Sequence, residues 1–336
     1  MRLGLLSAAR ITPLAIIEPL GADPDLGIEL AAVASRDLDR ARAAADEWGV
    51  TRACGSYEEL IADPDLDAIY IATPAALHRH WTLAALAAGK HVLCEKPLSV
   101  GRDEAVEMVE AAADADRILM EAFHWRYHPY ATQIRSIIES GRLGEIDHVA
   151  ARFELQDGVI GRDDIRWDLS LGGGALMDLG CYCVQWVRFA AGGDPTVVSA
   201  EAVCPVPEID GSLTAELSWE SGITGSFSTS MIADGEAIDL VVQGSTATLR
   251  AVNPLAPQRG AQITITDHAS GETEHPTVAG AGTTTYLEQL RVFRDAVRTG
   301  EAPPTSGADS VMNMSIIEDC YVAAGLIPRP AHPSLG

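Results

Sequence analysis

Lysine is almost missing from this 336-residue chain: there are two, Lys90 and Lys96, and arginine supplies the other basic side chains. Basic residues as a class are scarce too, with 24 Lys+Arg against 48 Asp+Glu, a formal charge of −24 and a pI near 4.6. Without a broad basic face the chain is excluded from general binding to nucleic-acid backbones, which rests on neutralising many phosphates. Long apolar runs are missing as well, since no uncharged stretch reaches the ~18 residues that a membrane span needs. Six cysteines in such a length do not make a disulfide framework. Cys181 and Cys183 sit two apart, but no second pair completes a zinc-ligand spacing. The pairs His78/His80 and His124/His128 are equally isolated, so no metal site is expected. The start, Met1-Arg2 and then an apolar run up to Ser7-Ala8-Ala9, faintly echoes a signal peptide. The same residues make a better first strand and turn, and a reduced, cytoplasmic protein is expected.

What is present is an ordinary globular composition, 47% hydrophobic and 21% charged, in a length that suggests about two domains. The first 120 residues alternate strand and helix. Apolar runs at residues 3–6, 28–34, 68–72, 91–94 and 118–121 are continuous, as a parallel sheet covered on both faces requires. Between them lie helical stretches at 11–20, at 38–48 after a capping Asp37, up to Ala88, and at 103–115. This is a doubly wound α/β domain, placed at residues 1–122. Beyond it, residues 123–336 read as an α+β domain. Helices at 130–140 and 175–191 precede alternating segments from Val197 to Ile265, which suggest a large, mainly antiparallel sheet with one exposed face. Two helices, at 284–299 and 306–324, close the chain. A free sheet face must be buried somewhere, so a homodimer through it is expected.

The first βα turn reads Ser7-Ala8-Ala9-Arg10-Ile11-Thr12. Ser, Ala and Thr occupy the small-residue positions of a dinucleotide fingerprint, leaving room for a pyrophosphate at a helix N-terminus. At the end of the second strand Ser35-Arg36 offers a hydroxyl and a guanidinium, which suit a 2′-phosphate. Asp37 comes too late for a ribose hydroxyl and reads as a helix cap. NADP(H) is therefore the expected cofactor, with NAD(H) second.

Further along, Ala72-Thr73-Pro74, His78, Gly89-Lys90-His91-Val92 and Glu95-Lys96-Pro97 resemble the Gfo/Idh/MocA oxidoreductases. EAFHWRYHP (121–129) and GGGALMDLGCYC (172–183) extend the resemblance over most of the chain. These two blocks are most similar to the branch of dimeric dihydrodiol dehydrogenases and NADP-dependent xylose dehydrogenases. The sequence departs from the family at the glycine fingerprint and at Ala75, where many members have Asn. The resemblance implies cofactor contacts from Thr73, Pro74, His78, Glu95, Lys96, Trp125 and Arg126 beside Ser7, Ala9, Arg10, Ile11, Ser35 and Arg36. It also implies a dimer through the second domain.

Lys96 follows a strand at the carboxyl edge, where ligands sit in such sheets, and Pro97 stiffens its turn. In a chain that replaces lysine by arginine wherever charge suffices, Lys96 is expected to do what arginine cannot. Lys90 is expected to accept arginine silently. Asp178 and Tyr182, four apart on a helix, should share one face. Moving a hydride to or from a carbinol carbon requires a proton to move at its oxygen. An ammonium would bring a phenol, with its ordinary pKa of ~10, into range for that task. Tyr182 is assigned as acid/base, Lys96 as its electrostatic partner and donor to the substrate oxygen, and Asp178 as the orienting acceptor. Lys96 itself as acid/base is the second assignment. Arg166, Phe153, Trp167 and Tyr286 are candidate substrate contacts. The expected substrate is a sugar, a cyclic polyol or a trans-dihydrodiol. Two other readings stay open here: transient oxidation by a retained cofactor, as in glycoside cleavage, and a non-catalytic NADP-binding regulator.

Overall fold

The computed structural model describes residues 1–331, which divide into two compact units. The first unit holds residues 1–124 and 286–311; the second holds 125–285 and 312–331. Strands β1 (Arg2–Leu6), β2 (Glu29–Ala34), β3 (Ala53–Cys54), β4 (Ala68–Ile71), β5 (His91–Cys94) and β6 (Leu119–Glu121) form the sheet of the first unit. Their order is β3-β2-β1-β4-β5-β6 and every pair is parallel. Leu3, Leu5, Val33, Ile69, Ile71, Val92 and Leu93 are fully enclosed, as continuous apolar strands require when both faces are covered.

The helices of this unit are α1 (Glu18–Ala22), α2 (Leu38–Trp48), α3 (Tyr57–Ile61), α4 (His78–Ala87) and α5 (Arg102–Asp114). Asp37 caps α2, its Oδ1 accepting from the amides of Asp39 at 2.9 Å and Arg40 at 3.2 Å. The helix expected over 11–20 is instead a wide π turn, Pro13–Ile17, that leads into α1. Pro19 has no N–H to return to Ala15, and the Glu18 amide reaches back five residues to the Pro13 carbonyl.

In the second unit, α6 (Pro129–Glu139) precedes β7 (Ile146–Gln156), and α7 (Cys181–Ala191) packs against the sheet that follows. With β8 (Thr196–Val203), β9 (Ser212–Ser218), β10 (Thr224–Ala233), β11 (Ala237–Gly244), β12 (Ala247–Val252), β13 (Gln262–Asp267) and β14 (Thr273–Glu274), β7 builds an eight-stranded sheet. Its order is β14-β13-β12-β11-β7-β10-β9-β8, antiparallel except where β7 meets β10. Val149, Ala151, Phe153, Phe227, Leu240 and Leu249 are buried on one face. The other face is polar: Asp239 is gripped by Arg152 and Arg250, and Ser228 donates to Glu154.

Two late helices, α8 (Thr285–Thr299) and α9 (Ala308–Ala323), follow this sheet. The sequence reading had placed them in the second domain. Nearly all of α8 instead returns to the first unit, where Arg291 pairs with Asp23 at 2.8 Å and Arg294 donates to the Leu26 carbonyl. Those partners lie some 270 residues upstream, a distance that no local pattern reports.

Candidate active site

The carboxyl edge of the parallel sheet collects the residues flagged for a cofactor. Ser7, at the end of β1, has φ +101°, a conformation that a side chain rarely adopts and glycine takes freely. The fingerprint is therefore missing in letters while its first position keeps a glycine-like backbone. Thr12, five residues on, and Thr73, after β4, are buried, and their hydroxyls have no partner among the described residues. β1 and β4 are neighbours across the point where strand order reverses, the place where such sheets bind nucleotides. Two buried hydroxyls awaiting a partner there fit a polar cofactor, because an unmet buried donor is costly. Ser35 is buried at the end of β2 and accepts from the Asp37 amide, while Arg36 stands exposed beside it. The sequence reading missed Arg40, which reaches from α2 to the Ala8 carbonyl at 2.9 Å and steadies the Ser7 turn.

Lys96 sits on a turn held at several points. Glu95, before it, accepts from the Tyr70 hydroxyl at 2.7 Å and from the Lys96 amide at 3.3 Å. The Pro97 carbonyl lies 2.9 Å from His78 Nδ1, and the other ring nitrogen lies 2.8 Å from the Thr73 carbonyl. Glu121, on β6, accepts from the Leu98 amide at 2.8 Å. His78 is enclosed and ties the Thr73 turn to the Lys96 turn. Tyr70 went unread in the sequence because it looks like one more residue of an apolar strand, and Glu121 was read only as the first letter of a motif block. Lys90, expected to be a silent lysine, is buried: its Nζ donates to the carbonyls of Asp63 at 2.6 Å and Leu66 at 2.8 Å. That slot holds a compact ammonium, and the larger guanidinium of an arginine there would have to displace its neighbours, which argues against the expectation of a silent exchange.

In the second unit, the helix expected from 175 opens as a π turn, Leu176–Gly180, before α7. The four-residue facing rule therefore does not carry over directly to Asp178 and Tyr182. Asp178 is instead fixed by Arg166, whose Nε donates to it at 2.5 Å while Nη1 donates to Asp164 at 3.0 Å. This strong pairing holds the Arg166 guanidinium well above its ordinary pKa, the Asp178 charge being the first cause. Tyr182 is buried, its ring 5.8 Å from that of Phe153 and 6.0 Å from that of Trp186. Trp167 is buried under the Arg162 guanidinium, and its indole N–H has no partner among the described residues. Trp125 is almost wholly enclosed, edge-on to Trp186 and Phe189, and Arg126 lies 4.4 Å over the Phe189 ring. Tyr286 belongs to the first unit, stacked on His124 with ring centres 3.9 Å apart. Among the described residues no three His, Cys, Asp or Glu side chains gather as a metal site. No helix there is long and apolar enough to cross a membrane.

A parallel sheet of this order, with such a first turn, defines a dinucleotide-binding Rossmann protein. The model of an oxidoreductase family with an NAD-binding Rossmann fold matches residues 8–123, and that of the GFO/IDH/MocA C-terminal domain matches residues 131–250. The chain belongs to the GFO/IDH/MocA family and is an oxidoreductase. It is 36% identical over 329 residues to the D-xylose 1-dehydrogenase (NADP(+)) 2 of Haloferax volcanii, covering 96% of this chain and 97% of that one. It is 34% identical over 217 residues to the trans-1,2-dihydrobenzene-1,2-diol dehydrogenase of Xenopus tropicalis, covering 64% of each. Among solved structures, the 3-ketoreductase KijD10 of Actinomadura kijaniata, in complex with NADP and TDP-benzene, superposes with a TM-score of 0.85 at 27% identity. That match covers 98% of this chain and 99% of that one.

Proposed function

We propose that this enzyme moves a hydride between NADP(H), taken in preference to NAD(H), and a carbinol or carbonyl carbon of a sugar, cyclic polyol or trans-dihydrodiol. The observation that carries the reading is the anchored turn of Lys96 at the carboxyl edge of the parallel sheet, gripped by His78, Glu121 and Glu95. The NADP named with the xylose dehydrogenase and with KijD10 supports the cofactor, as does Ser35-Arg36 for a 2′-phosphate. Ser7, Ala9, Arg10 and Ile11 would hold the pyrophosphate, with Thr73, Pro74, Glu95 and Lys96 nearer the nicotinamide. His78 and Trp125 contribute through the turns and core they fill.

When bound, the cofactor supplies or accepts the hydride; the chain moves the proton. Tyr182 exchanges a proton with the substrate oxygen, and Lys96 donates to the same oxygen while its charge favours the phenolate. Asp178, oriented by Arg166, accepts from a neighbouring substrate hydroxyl, and the Trp167 indole N–H is a second contact. Phe153 and Tyr286 are apolar contacts for the ring. The cofactor domain is assigned to residues 1–122 and the substrate domain to residues 123–336, the enzyme to the cytoplasm, and assembly to a homodimer through the open face of the eight-stranded sheet. Light scattering at micromolar concentration should give twice the chain mass, and a monomer there sinks the assembly.

The decisive assay follows absorbance at 340 nm with aldoses, inositols and trans-dihydrodiols, each with NADP and NAD. Net reduction of added NADP by one of these classes is expected. A cofactor that co-purifies and never turns over would overturn the reading in favour of transient oxidation.

A further inference from the structure

We propose that Arg329, paired with Asp210, is a positioning residue for the reaction: it locks the glycine turn that leads into Asp178 and Tyr182. The inference rests on the roles proposed for those two residues. Both partners have fully enclosed side chains. The guanidinium spends its donors in three directions. Nε donates to the Gly173 carbonyl at 2.6 Å, Nη1 to the Glu208 carbonyl at 2.9 Å, and Nη2 to Asp210 Oδ1. Asp210 is equally committed. Its Oδ1 also accepts from the Tyr321 hydroxyl at 3.1 Å, its Oδ2 from the Leu176 amide at 2.7 Å, and its main-chain carbonyl from the Ala175 amide at 2.8 Å. The guanidinium lies 4.0 Å over the Tyr321 ring.

Four successive residues are thereby fixed. Gly173 is held by its carbonyl, and Ala175 and Leu176 by their amides. Gly174 is held by exclusion: at φ +131°, the place of its absent Cβ is taken by Asp210, Arg329 and Tyr321. From the other side, Gly174 N–H donates to the Arg166 carbonyl at 3.0 Å, and the Asp178 amide donates to the Gly174 carbonyl at 3.1 Å. Arg166 then holds the Asp178 carboxylate itself. The turn and the carboxylate are clamped from two directions, and α7, with Tyr182 in its first turn, starts directly after.

Stability alone does not account for this set. A buried ion pair is weak evidence for stabilisation, since apolar residues of similar volume often serve as well. What apolar residues cannot supply is direction, and a planar guanidinium aims three bonds at fixed angles. Lysine would keep the charge beside Asp210 but could not span the Gly173 and Glu208 carbonyls together.

The test measures kcat, KM and NADPH affinity for Arg329→Lys, Arg329→Ala, Tyr321→Phe and Tyr182→Phe. Arg329→Lys should fold and bind NADPH with near-parental affinity, because the proposed cofactor residues from Ser7 to Lys96 are in the other unit and neither Trp125 nor Arg126 is among the Arg329 partners named above, while kcat falls by ~10- to 100-fold, the scale of a slightly misplaced catalytic group. Guanidinium ion at millimolar concentration should restore kcat to Arg329→Ala in a saturable way and leave the parent unaffected. Tyr321→Phe, which removes one bond to Asp210 and keeps the ion pair, should lower kcat by a smaller factor. A folded Arg329→Lys with parental kcat overturns the lock. If neither Arg329 variant folds, parental kcat in Tyr321→Phe overturns it instead. Full activity in Tyr182→Phe would defeat the site reading and is recognisable separately from either result.

Discussion

The two lysines of this chain stand at opposite ends of one strand, and they are kept for unrelated reasons. Lys90 precedes β5 at the amino edge of the sheet, where its ammonium fills a buried slot between the carbonyls of Asp63 and Leu66. Burial pushes its pKa down, and no acceptor other than carbonyl oxygen touches it at hydrogen-bond distance among the described residues. Lys96 follows β5 at the carboxyl edge, half-buried on a turn whose neighbours on both sides are tied down. One site holds a compact cation between two carbonyls; the other, in the mechanism proposed above, supplies a proton that can be shared. Scarcity marks a residue as hard to replace, and only the surroundings say why.

The comparison breaks most visibly at Lys96. Lys96→Arg should fold and bind NADPH yet lose at least ~100-fold in kcat, as should Tyr182→Phe, with the double variant little worse than either because the two act as a unit. Parental kcat for Lys96→Arg, measured where chemistry limits the rate, would show that charge alone suffices. Lys90→Arg should do the reverse. Forcing a guanidinium into the ammonium slot should cost about 1–3 kcal/mol of stability, read as a lower denaturation midpoint, with kcat unchanged in the folded fraction. An unshifted midpoint would return Lys90 to chance. The smallest effect sharpens the comparison from the arginine side. Arg36 is exposed and supplies charge, so Arg36→Lys should keep most of a preference for NADPH over NADH, whereas Arg36→Ala should remove a preference of about tenfold. Equal affinities for the two cofactors in the parent would end that assignment.

The parts of the fold that lie in local pattern were legible. Continuous apolar runs gave the parallel sheet, alternation gave the open one, and Asp37 was read as the cap it is. The wide turns at Pro13–Ile17 and Leu176–Gly180 were not, because they depend on which backbone bonds proline and packing forbid. The site divides in the same way. Lys96, Asp178 and Tyr182 carry motifs, while Tyr70, Glu121, Asp210 and Arg329 act through partners far away in sequence. Arg329 in particular looks like any arginine near a proline; nothing local says that it is sealed from water or bonded to a glycine 156 residues earlier.

His78 carries a consequence that its burial alone does not convey. Its two ring nitrogens each face a carbonyl, Pro97 on one side and Thr73 on the other, but a neutral imidazole has a single N–H. Burial holds its pKa down against the pull of those carbonyls, and in the neutral ring one carbonyl receives the proton while the other meets a lone pair. The ring's tautomer is thus a choice of allegiance between the turn of Thr73 and the turn of Lys96. Acid, by adding the second proton, would let it hold both.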